Sequence, residues 1–421
     1  MFKFLHCADV HLDSPLKGLE RYEGAPVEAI RQASRRAFDN LIQLAIDEKV
    51  AFVLIVGDLF DGSWKDYNTG LYFVSSMTRL RDRNIRVFVV RGNHDAQSRM
   101  SASLRLPDNV TVFSDRSPET HRIDTLGVAL HGMSFHTASV HENISLTYPA
   151  AVPGAYNIGL LHTSATGSED HDEYAPCSVE HLKTRGYDYW ALGHVHRRQQ
   201  LLEEPPIVFP GNVQGRHIRE TGAKGCLVVT VEGGSTSSVE FEPVDVLRWA
   251  TCTVEAPDSA TPAGVLDLAS RALETLHQDA QGRLLAVRVV LSVGHAAGRA
   301  LRGNAKQLLN EVRALGITAA SGDLWIEKVV VSPRGADAGG GKPVEEGPLQ
   351  ELMSTLEEIR IDEAQLRELG AALTELESRL PADLRGREGA LSSSDPGWLR
   401  DVLDEAQSVL AQRLKAGGGV Q

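Results

Sequence analysis

Short apolar runs recur along the first part of the chain, and polar or amphipathic stretches separate them. Apolar runs bounded by glycine or polar residues are typical of buried strands. Eight runs predict strands before residue 245: Phe2–Leu5, Phe52–Val56, Val87–Val90, Val128–His131, Asn157–Leu161, Tyr189–Leu192, Ile207–Phe209 and Cys226–Val231. Helical spacing of apolar residues predicts helices over Pro26–Lys49 and Thr69–Asp82. The alternation predicts an α/β sandwich of two sheets flanked by helices, over residues 1–245.

A different pattern begins near Asp245. The segments "WATCTVEAPD", "LLAVRVVLSV" and "LWIEKVVVSP" predict three further strands. Two amphipathic helices are predicted between them, over Pro262–Gln278 and Ala300–Leu315. Residues 246–333 are therefore predicted to form a separate small α+β domain.

The last part of the chain has the composition of a tethered helical region. The stretch "RGADAGGGKPVEEGP" predicts a flexible linker over residues 334–348. Leucines at helical spacing then predict amphipathic helices within 349–421, the last of them over Trp398–Leu414. Two interpretations of their apolar stripes stay open: packing against the body of this chain, or docking on helices of a partner.

The overall composition is that of an ordinary globular protein, with 42% hydrophobic, 24% charged and 6% aromatic residues. No apolar run approaches the roughly 18–20 residues of a membrane helix, and the N-terminus lacks the layout of a signal peptide. The four cysteines lie far apart with no C-x-x-C pair, which disfavours a disulfide framework or a zinc knuckle. We therefore expect a cytoplasmic protein without membrane association.

The net charge of −13 at first argues against a nucleic-acid partner. Residues 345–421, however, contain 16 acidic and 8 basic residues and so carry −8 of that charge. Elsewhere arginines cluster in two places: Arg79, Arg81, Arg83, Arg86 and Arg91, and Arg197, Arg198, Arg216 and Arg219. Because a phosphate backbone responds to the local field, the overall acidity does not exclude DNA.

Five predicted strands end in residues that bind divalent metals, in the segments "CADVH", "VGDLFD", "RGNHD", "LLHTSATG" and "LGHVHRR". In an open α/β sheet, loops at the carboxyl ends of the strands converge on one crevice. Gly57, Gly92 and Gly193 stand where a tight turn or a close approach of the backbone would be needed. The metal-binding side chains of the five segments are therefore predicted to share one pocket.

A set of aspartate, histidine and asparagine without cysteine suits Mn²⁺, Fe²⁺ or Zn²⁺ in a hydrolytic site. Two such ions about 3.5–4 Å apart can share a bridging carboxylate and clamp the oxygens of a phosphate during in-line displacement. Each fragment alone is a weak signal, because a single histidine such as His162 is more often a core or surface residue. The coincidence of all five fragments at strand ends favours the two-metal site.

This series of motifs resembles the calcineurin-like metallophosphoesterase superfamily over residues 1–215. Within it, "FLHCADVHLDSPL", "VGDLFD", "ALGHVHRRQ" and "FPGNVQGRH" are similar to DNA double-strand-break repair exonucleases of the SbcD type, and most to their YhaO branch. In topology the domain over 246–333 is similar to the capping domain of that group. The resemblance implies a metallophosphoesterase nuclease domain over 1–245.

The resemblance also implies two sets of metal ligands that share Asp58 as a bridge. The first set is Asp9, His11, Asp58 and His196. The second set is Asp58, Asn93, His162 and His194. Mn²⁺ is the favoured metal for both, with Mg²⁺, Fe²⁺ and Zn²⁺ as alternatives.

Three further residues are catalytic candidates from the resemblance. His94 would face the phosphate and protonate the departing oxygen, a role suited to an imidazole. Asp95 would orient either that ring or the turn. Archaeal and eukaryotic relatives commonly have histidine at the position of Asp61, so this residue is either catalytic, an acceptor behind a ligand, or the cap of the next helix.

Arginines beside the predicted site favour DNA as the substrate. Arg197 and Arg198 follow the last ligand pair directly, and Arg216 lies in the next loop. Binding to DNA phosphates is one interpretation of all three residues, and solvated surface charge is the other.

The sequence and the resemblance together predict a two-metal DNA exonuclease of the SbcD/YhaO type, with endonuclease activity as a further option, acting in DNA repair. The resemblance implies an SMC-like coiled-coil ATPase as partner, bound through the C-terminal helices of residues 349–421, and a homodimer. Two alternatives stay open. They are a small-molecule phosphodiesterase of the same superfamily and a non-catalytic subunit that binds DNA ends.

Overall fold

A computed structural model describes residues 1–14, 27–61, 67–96, 104–165 and 174–333. Nine single residues are described beyond these ranges: Leu366, Gly370, Ala371, Leu373, Asp395, Leu399, Arg400, Val402 and Leu403. By their internal contacts, Met1–Arg334 form one compact unit and Gly335–Gln421 form another.

The larger unit contains two six-stranded sheets, as predicted. Their strands are β1 Phe2–Cys7, β2 Phe52–Val56, β3 Arg86–Val90, β4 Val110–Val112, β5 Glu119–Ile123, β6 Val128–Gly132, β7 Tyr156–His162, β8 Tyr189–Gly193, β9 Gln199–Leu202, β10 Ile207–Phe209, β11 Gly225–Glu232 and β12 Ser235–Pro243. The helices of this part are α1 Val27–Asp47, α2 Tyr67–Arg81, α3 Asn93–Ala96 and α4 Val179–Lys183, with a 3-10 helix over Ile144–Thr147. All eight predicted strands are present; the pattern missed β4, β5, β9 and β12.

The first sheet has the order β12-β11-β1-β2-β3-β4, and the second has the order β5-β6-β7-β8-β10-β9. Strands β1 to β4 run parallel to each other, and so do β6, β7, β8 and β10. Strands β11, β12, β5 and β9 extend the sheets in antiparallel pairing. The central strands of each sheet therefore have their carboxyl ends at one edge, which is where functional loops gather in such folds.

Apolar side chains fill the space between the two sheets and the space under the helices. The core between the sheets includes Phe4 and Phe88 from the first sheet and Tyr189 from the second. On the outer side of the first sheet, Phe38 of α1 and Met77 of α2 belong to another buried cluster. Burial of these large side chains, each contributing about 1.5–3 kcal/mol, holds the strand ends in a fixed arrangement.

The remaining three-stranded sheet is built from β13 Leu247–Glu255, β14 Leu284–Val293 and β15 Leu324–Pro333, all parallel. The first predicted helix of this module is present as α5 Pro262–Asp279. The second prediction, one helix over Ala300–Leu315, was wrong, because this stretch contains parts of two helices, α6 His295–Arg302 and α7 Ala305–Ala320. Asn304 separates them, since its side chain accepts a hydrogen bond from the Gln307 N–H and so caps α7.

The predicted linker over 334–348 lies outside the described residues, and so does most of the predicted helical region over 349–421. Within that region, Leu366, Leu399 and Leu403 form a buried apolar cluster against which Leu373 packs. The assignment of these helices to partner binding stays a prediction.

The states of the cysteines and the character of the helices bear on two predictions made from composition. Cys7, Cys177, Cys226 and Cys252 are buried free thiols. In the part of the chain that the structure describes, no helix combines the length and the apolar character that a membrane span requires. The expected location in the cytoplasm stays a prediction.

Candidate metal centre

The carboxyl ends of β1, β2, β3, β7 and β8 meet at one place, as the motifs predict. Backbone hydrogen bonds continue the sheets into the loops that follow these strands. The Asp9 N–H donates to the Gly57 carbonyl at 3.1 Å, and the Thr163 N–H donates to the Gly193 carbonyl at 3.0 Å. The loops are thus fixed in place by the sheets rather than only tethered to them.

Four of the seven predicted ligands have a positive φ, and so does Asp13 in the loop after β1. The φ angles are +52° at Asp9, +45° at His11, +52° at Asp58 and +101° at His194. A non-glycine residue in such a conformation costs of order 1–3 kcal/mol, and such residues cluster at functional sites. The strain at this edge is therefore concentrated at four of the seven predicted ligands.

Glycines allow the loops to approach each other closely. A Cβ at Gly57, where φ is +86°, would lie 2.0 Å from Nδ1 of His162. A Cβ at Gly92 would lie 2.3 Å from Oδ1 of Asp58. Both positions therefore need glycine because predicted ligands occupy the space that a side chain would fill.

The first group of candidate ligands is Asp9, His11 and His196, whose ligand atoms lie within 4.8 Å of one another. Nδ1 of His11 is 2.7 Å from the Asp61 carboxylate, and Nδ1 of His196 is 2.6 Å from the Glu220 carboxylate. In the neutral form of each ring, with Nδ1–H donated to the carboxylate, Nε2 is an acceptor. These Nε2 atoms face each other at 3.2 Å. With both rings neutral, these two nitrogens cannot hydrogen-bond to each other, and a cation between them would accept both lone pairs.

The rings of His11 and His196 both donate from Nδ1 only if the carboxylates of Asp61 and Glu220 are ionised. Burial alone would raise the pKa of Asp61, but its hydrogen bond with His11 and the charge of Arg216 lower that pKa overall. Burial acts in the same direction on Glu220, and the His196 hydrogen bond together with Arg216 lowers its pKa overall as well. Both carboxylates are therefore acceptors near neutral pH, and both imidazoles donate from Nδ1.

The second group of candidate ligands is Asp58, His162 and His194, again within 4.8 Å of one another. Nδ1 of His162 donates to the carbonyl oxygen of Val56 at 3.1 Å. Its Nε2 is therefore an acceptor, and it lies 3.6 Å from Oδ2 of Asp58 and 3.0 Å from Oδ1 of Asn93. Burial lowers the pKa of His162 to about 3, so this ring is neutral and its lone pair is available to a metal.

Asp58 lies within reach of both groups. Its Oδ2 is 3.9 Å from Nε2 of His11 and 3.6 Å from Nε2 of His162. Burial raises the pKa of Asp58, and burial followed by the charge of Asp58 raises the pKa of Asp9. Two buried carboxylates in one pocket, facing imidazole lone pairs, fit divalent cations bound by oxygen and nitrogen, with Asp58 placed as the shared ligand.

His94 belongs to neither of these two groups, but with His11 and Asp61 it forms a third cluster whose ligand atoms lie within 4.8 Å of one another. Its side chain is 43% exposed, whereas those of His11 and His162 are 1% and 0% exposed. Nδ1 of His94 is 3.4 Å from the Asp61 carboxylate, and its backbone N–H donates to Oδ1 of Asp58 at 3.0 Å. An imidazole open to solvent beside the buried groups can reach a substrate that they hold.

Asp61 lies as an acceptor behind the predicted ligand His11, which agrees with one of the roles expected for it. Its carboxylate accepts from Nδ1 of His11 and from the Ser14 hydroxyl, and it also lies beside the His94 ring. Such contacts fix the orientation and tautomer of a ligating imidazole.

Asp95 is buried and holds the turn rather than the His94 ring. Its carboxylate accepts from the backbone N–H groups of Leu59 at 3.1 Å, Phe60 at 2.9 Å and Gly92 at 3.2 Å. Burial and the charge of Asp58 raise its pKa to about 7. Asp95 thus joins the loop after β2 to the turn after β3, and it places His94 through the backbone.

The three arginines predicted to bind DNA have different surroundings. Arg216 lies at the centre itself, with Nη2 3.4 Å from the Glu220 carboxylate and Nη1 3.9 Å from that of Asp61. Arg197 and Arg198 are exposed, and the Arg198 guanidinium lies 4.4 Å from the centre of the Phe241 ring. Whether these residues bind DNA stays a prediction.

Sequence reasoning missed Glu220 and Tyr174. Glu220 lies on an irregular loop, where no periodic pattern singles out one carboxylate, and its position near "FPGNVQGRH" was the one available signal. Tyr174 lies with its ring 5.5 Å from the ring of His194, at a steep angle, and so forms part of the wall of the second group.

Comparison with protein-family models matches residues 2–198 to "Calcineurin-like phosphoesterase" and residues 249–334 to "Metallophosphoesterase YhaO, middle domain". A protein of Bacillus subtilis (strain 168) named "Uncharacterized metallophosphoesterase YhaO" is 34% identical over 292 residues, which cover 68% of this chain and 71% of the relative. The chain belongs to the calcineurin-like metallophosphoesterase family. The divalent-metal chemistry of this family agrees with the donor sets at the strand ends.

Proteins named "DNA double-strand break repair protein Mre11" match this metallophosphoesterase over a smaller share of the chain. The one from Methanopyrus kandleri is 24% identical over 279 residues, which cover 59% of this chain and 57% of the relative. The one from Archaeoglobus fulgidus is 36% identical over 238 residues, which cover 52% and 51% respectively. This chain thus matches little more than half the length of each.

Among solved structures, a dimetal phosphatase from Danio rerio matches with a TM-score of 0.36 at 12% identity, over 55% of this chain and 93% of the other. A similarity at this level supports no argument about function.

Proposed function

We propose that this metallophosphoesterase is a Mn²⁺-dependent exonuclease that hydrolyses phosphodiester bonds of DNA. The observation that carries the proposal is that Nε2 of His11 and Nε2 of His196 face each other at 3.2 Å, while Nδ1 of each ring is bonded to a carboxylate. Asp58 lies between this group and the second group, and the exposed ring of His94 lies beside both. Buried metal ligands with a solvent-accessible imidazole at their side suit hydrolysis of a phosphate ester.

Two divalent ions bound there would supply Lewis acidity that activates water and offsets the charge on phosphate oxygens. His94, held near Asp61, would give a proton to the departing oxygen of the nucleoside. Arg216 would place its guanidinium near the phosphate, since it already lies at the rim of the first group. Asp95 would keep His94 in place by holding the turn on which it lies.

Local positive charge and the named relatives support DNA as the substrate. Arg197, Arg198 and Arg219 are exposed residues close in sequence to the ligand His196 or to Arg216. Cations near a phosphodiesterase site bind the backbone of a nucleic acid through its phosphates. The Mre11 relatives are named as DNA double-strand break repair proteins. A small-molecule phosphodiesterase has no comparable support from the described residues.

We further propose that residues 349–421 dock on the base of the coiled coil of an SMC-like ATPase, and that the chain acts as a homodimer. The apolar spacing of this region and the buried cluster of Leu366, Leu399 and Leu403 support amphipathic helices there. Recovery of the ATPase in a pull-down with full-length protein, but not with a chain lacking residues 345–421, is the expected result. Equal recovery with the shortened chain would contradict it.

The nuclease proposal is tested with end-labelled DNA and the full chain, with and without the ATPase. We expect shortening of the labelled strand with Mn²⁺ and its abolition by a chelator. Hydrolysis of bis-p-nitrophenyl phosphate without any cleavage of DNA, under both conditions, would favour a small-molecule phosphodiesterase. Binding of DNA ends without hydrolysis of either substrate would favour a non-catalytic subunit.

A further inference from the structure

The loop over residues 210–224, between β10 and β11, connects the metal centre with the three-stranded module. It contributes Arg216 and Glu220 to the surroundings of the first group. It also contains Gln214, which is buried against the beginning of β13. The 210–224 loop therefore contacts both a predicted metal ligand and the three-stranded module.

Glu220 binds several polar groups of the 210–224 loop and of the candidate metal centre. Its side chain is 6% exposed, and one carboxylate oxygen, Oε1, is 2.6 Å from Nδ1 of His196. The other oxygen, Oε2, accepts from the Arg216 backbone N–H at 2.7 Å and from Nδ2 of Asn212 at 2.9 Å. The Arg216 guanidinium is also within 3.4 Å of Oε1. One carboxylate thus holds an imidazole of the first group and the cation at its rim.

The position of Glu220 is itself fixed from the module side. The Gln214 amide donates to the Leu247 carbonyl at 2.5 Å, and its oxygen accepts from the Val246 N–H at 3.0 Å. The indole N–H of Trp249 donates to the Gly215 carbonyl at 3.0 Å. These bonds anchor the 210–224 loop on β13, so Glu220 presents its carboxylate to His196 from a fixed backbone.

We propose that Glu220 is a positioning residue that fixes the ring of His196 and the guanidinium of Arg216 relative to each other. It sets the tautomer in which His196 offers Nε2 to a metal, and it makes the imidazole a stronger ligand. Through Arg216 it also places the positive charge that would meet the substrate phosphate. The inference depends on the proposed function only in taking Asp9, His11 and His196 as a metal site.

The test is Glu220→Gln in the full chain, with binding of Mn²⁺ measured by titration calorimetry and by electron paramagnetic resonance. Glutamine keeps the size and one acceptor oxygen, but it removes the charge, and its NH₂ group must face a donor, either Nδ1–H of His196 or the N–H groups of Arg216 and Asn212. We expect one of two Mn²⁺ ions to bind about 10–100-fold more weakly, as for other carboxylates behind ligating histidines. The affinity for the other ion, and hence for the second group, stays unchanged.

Two companion variants separate positioning from a general loss of structure. Glu220→Asp keeps the charge and should recover part of the lost affinity, together with the spectrum of the coupled Mn²⁺ pair. Glu232→Gln removes an exposed carboxylate at the end of β11 and should bind both ions as the wild type does. Thermal unfolding of each metal-free variant checks that the chain is folded.

The outcomes for this inference and for the proposed function are distinguishable because metal binding is measured apart from hydrolysis. Wild-type affinity for both ions in a folded Glu220→Gln chain would overturn the positioning role, whatever the substrate is. An equal loss of affinity for both ions would also overturn the positioning role, because the second group has no contact with Glu220 among the described hydrogen bonds. Loss of one ion supports the role even if the wild type does not cleave DNA.

Discussion

At the scale of single residues, the protein fixes which nitrogen of each imidazole faces the candidate metal site. His11 and His196 donate from Nδ1 to the carboxylates of Asp61 and Glu220, and His162 donates from Nδ1 to the Val56 carbonyl. In all three rings Nε2 is left as the acceptor that faces the pocket. The acceptors behind the rings therefore define the site as much as the ligands do.

His94 is expected to differ from the ligands when it is replaced. In His94→Ala both Mn²⁺ ions should bind with wild-type affinity, because the exposed ring belongs to neither group. The rate of DNA cleavage should fall by about 10²–10⁴, the usual contribution of a general acid. The hydrolysis of bis-p-nitrophenyl phosphate should fall much less, because nitrophenolate leaves without a proton donor.

The comparison of the two substrates is the decisive part of this measurement. An equal loss of rate on DNA and on the nitrophenyl ester would contradict the role of His94 as proton donor. Loss of a bound Mn²⁺ ion in the same variant would instead indicate that His94 is a metal ligand.

Another histidine makes stability depend on pH. His6 of β1 is fully buried, with its ring nitrogens 3.0 Å from the Tyr189 hydroxyl and 3.1 Å from the Leu192 carbonyl. Burial lowers its pKa from 6.5 to about 3 in the folded protein. Between these pH values the unfolded chain binds one more proton than the folded chain, so the free energy of unfolding decreases as the pH falls. The contribution of this residue is at most about 1.4 kcal/mol per pH unit.

We therefore expect a shallower loss of stability in His6→Gln than in the wild type as the pH is lowered from 6.5 to 4.5. Denaturant unfolding of both metal-free proteins across this range measures the two slopes. Parallel slopes would show that His6 is protonated in the folded protein or is accessible to solvent.

At the scale of elements, the strand ends use backbone conformations that ordinary loops avoid. Asp9, His11 and Asp58 are left-handed, and Gly57 allows the His162 ring to lie against the backbone of the neighbouring loop. The paired strands behind these loops compensate the strain through their buried cores. The candidate ligands are therefore already arranged in the folded chain, which would favour tight binding of a metal ion.

Gly57→Ala tests this arrangement against a matched control. Gly127 also has a positive φ, +64°, but a Cβ there has no atom within 4 Å, whereas one at Gly57 would meet His162. Both substitutions incur about 1–2 kcal/mol of backbone strain, and Gly57→Ala adds about 1–3 kcal/mol of overpacking. We expect Gly57→Ala to lower the melting temperature more and to weaken Mn²⁺ binding, and Gly127→Ala to leave Mn²⁺ binding unchanged. Equal effects of both substitutions on Mn²⁺ binding would contradict the account.

The elements that could be predicted are those whose buried positions appear in the sequence as a run or a periodic pattern of apolar residues. Strand β2, Phe52–Val56, is buried along its whole length and reads as a continuous apolar run. Strand β12, Ser235–Pro243, lies at an edge and is at most half-buried, and its large apolar side chains are Val239 and Phe241 alone, which is too short a pattern to indicate a strand. The break between α6 and α7 was readable from Gly303 and Asn304, a typical helix stop and cap.

At the scale of the whole molecule, some residues of the candidate site could be predicted from their order in the sequence. Others are brought to the site only by the fold. Motifs at successive strand ends predicted that the candidate ligands lie together, because parallel strands must end at one edge. Glu220 was not predictable in this way, since its role depends on where the 210–224 loop crosses the site. The contact of that loop with β13 depends in turn on the packing of Trp249 and Leu247 beside it.

The most direct test of the account is the number of divalent ions bound per chain, measured by elemental analysis after equilibration with Mn²⁺ and gel filtration. The wild type should retain two ions. Asp58→Asn should retain at most one, because the shared carboxylate has lost its charge, and Asp124→Asn, at an exposed aspartate, should retain two. A wild type that binds no Mn²⁺, or an Asp58→Asn variant that still binds two ions, would contradict the central claim that both groups share one carboxylate.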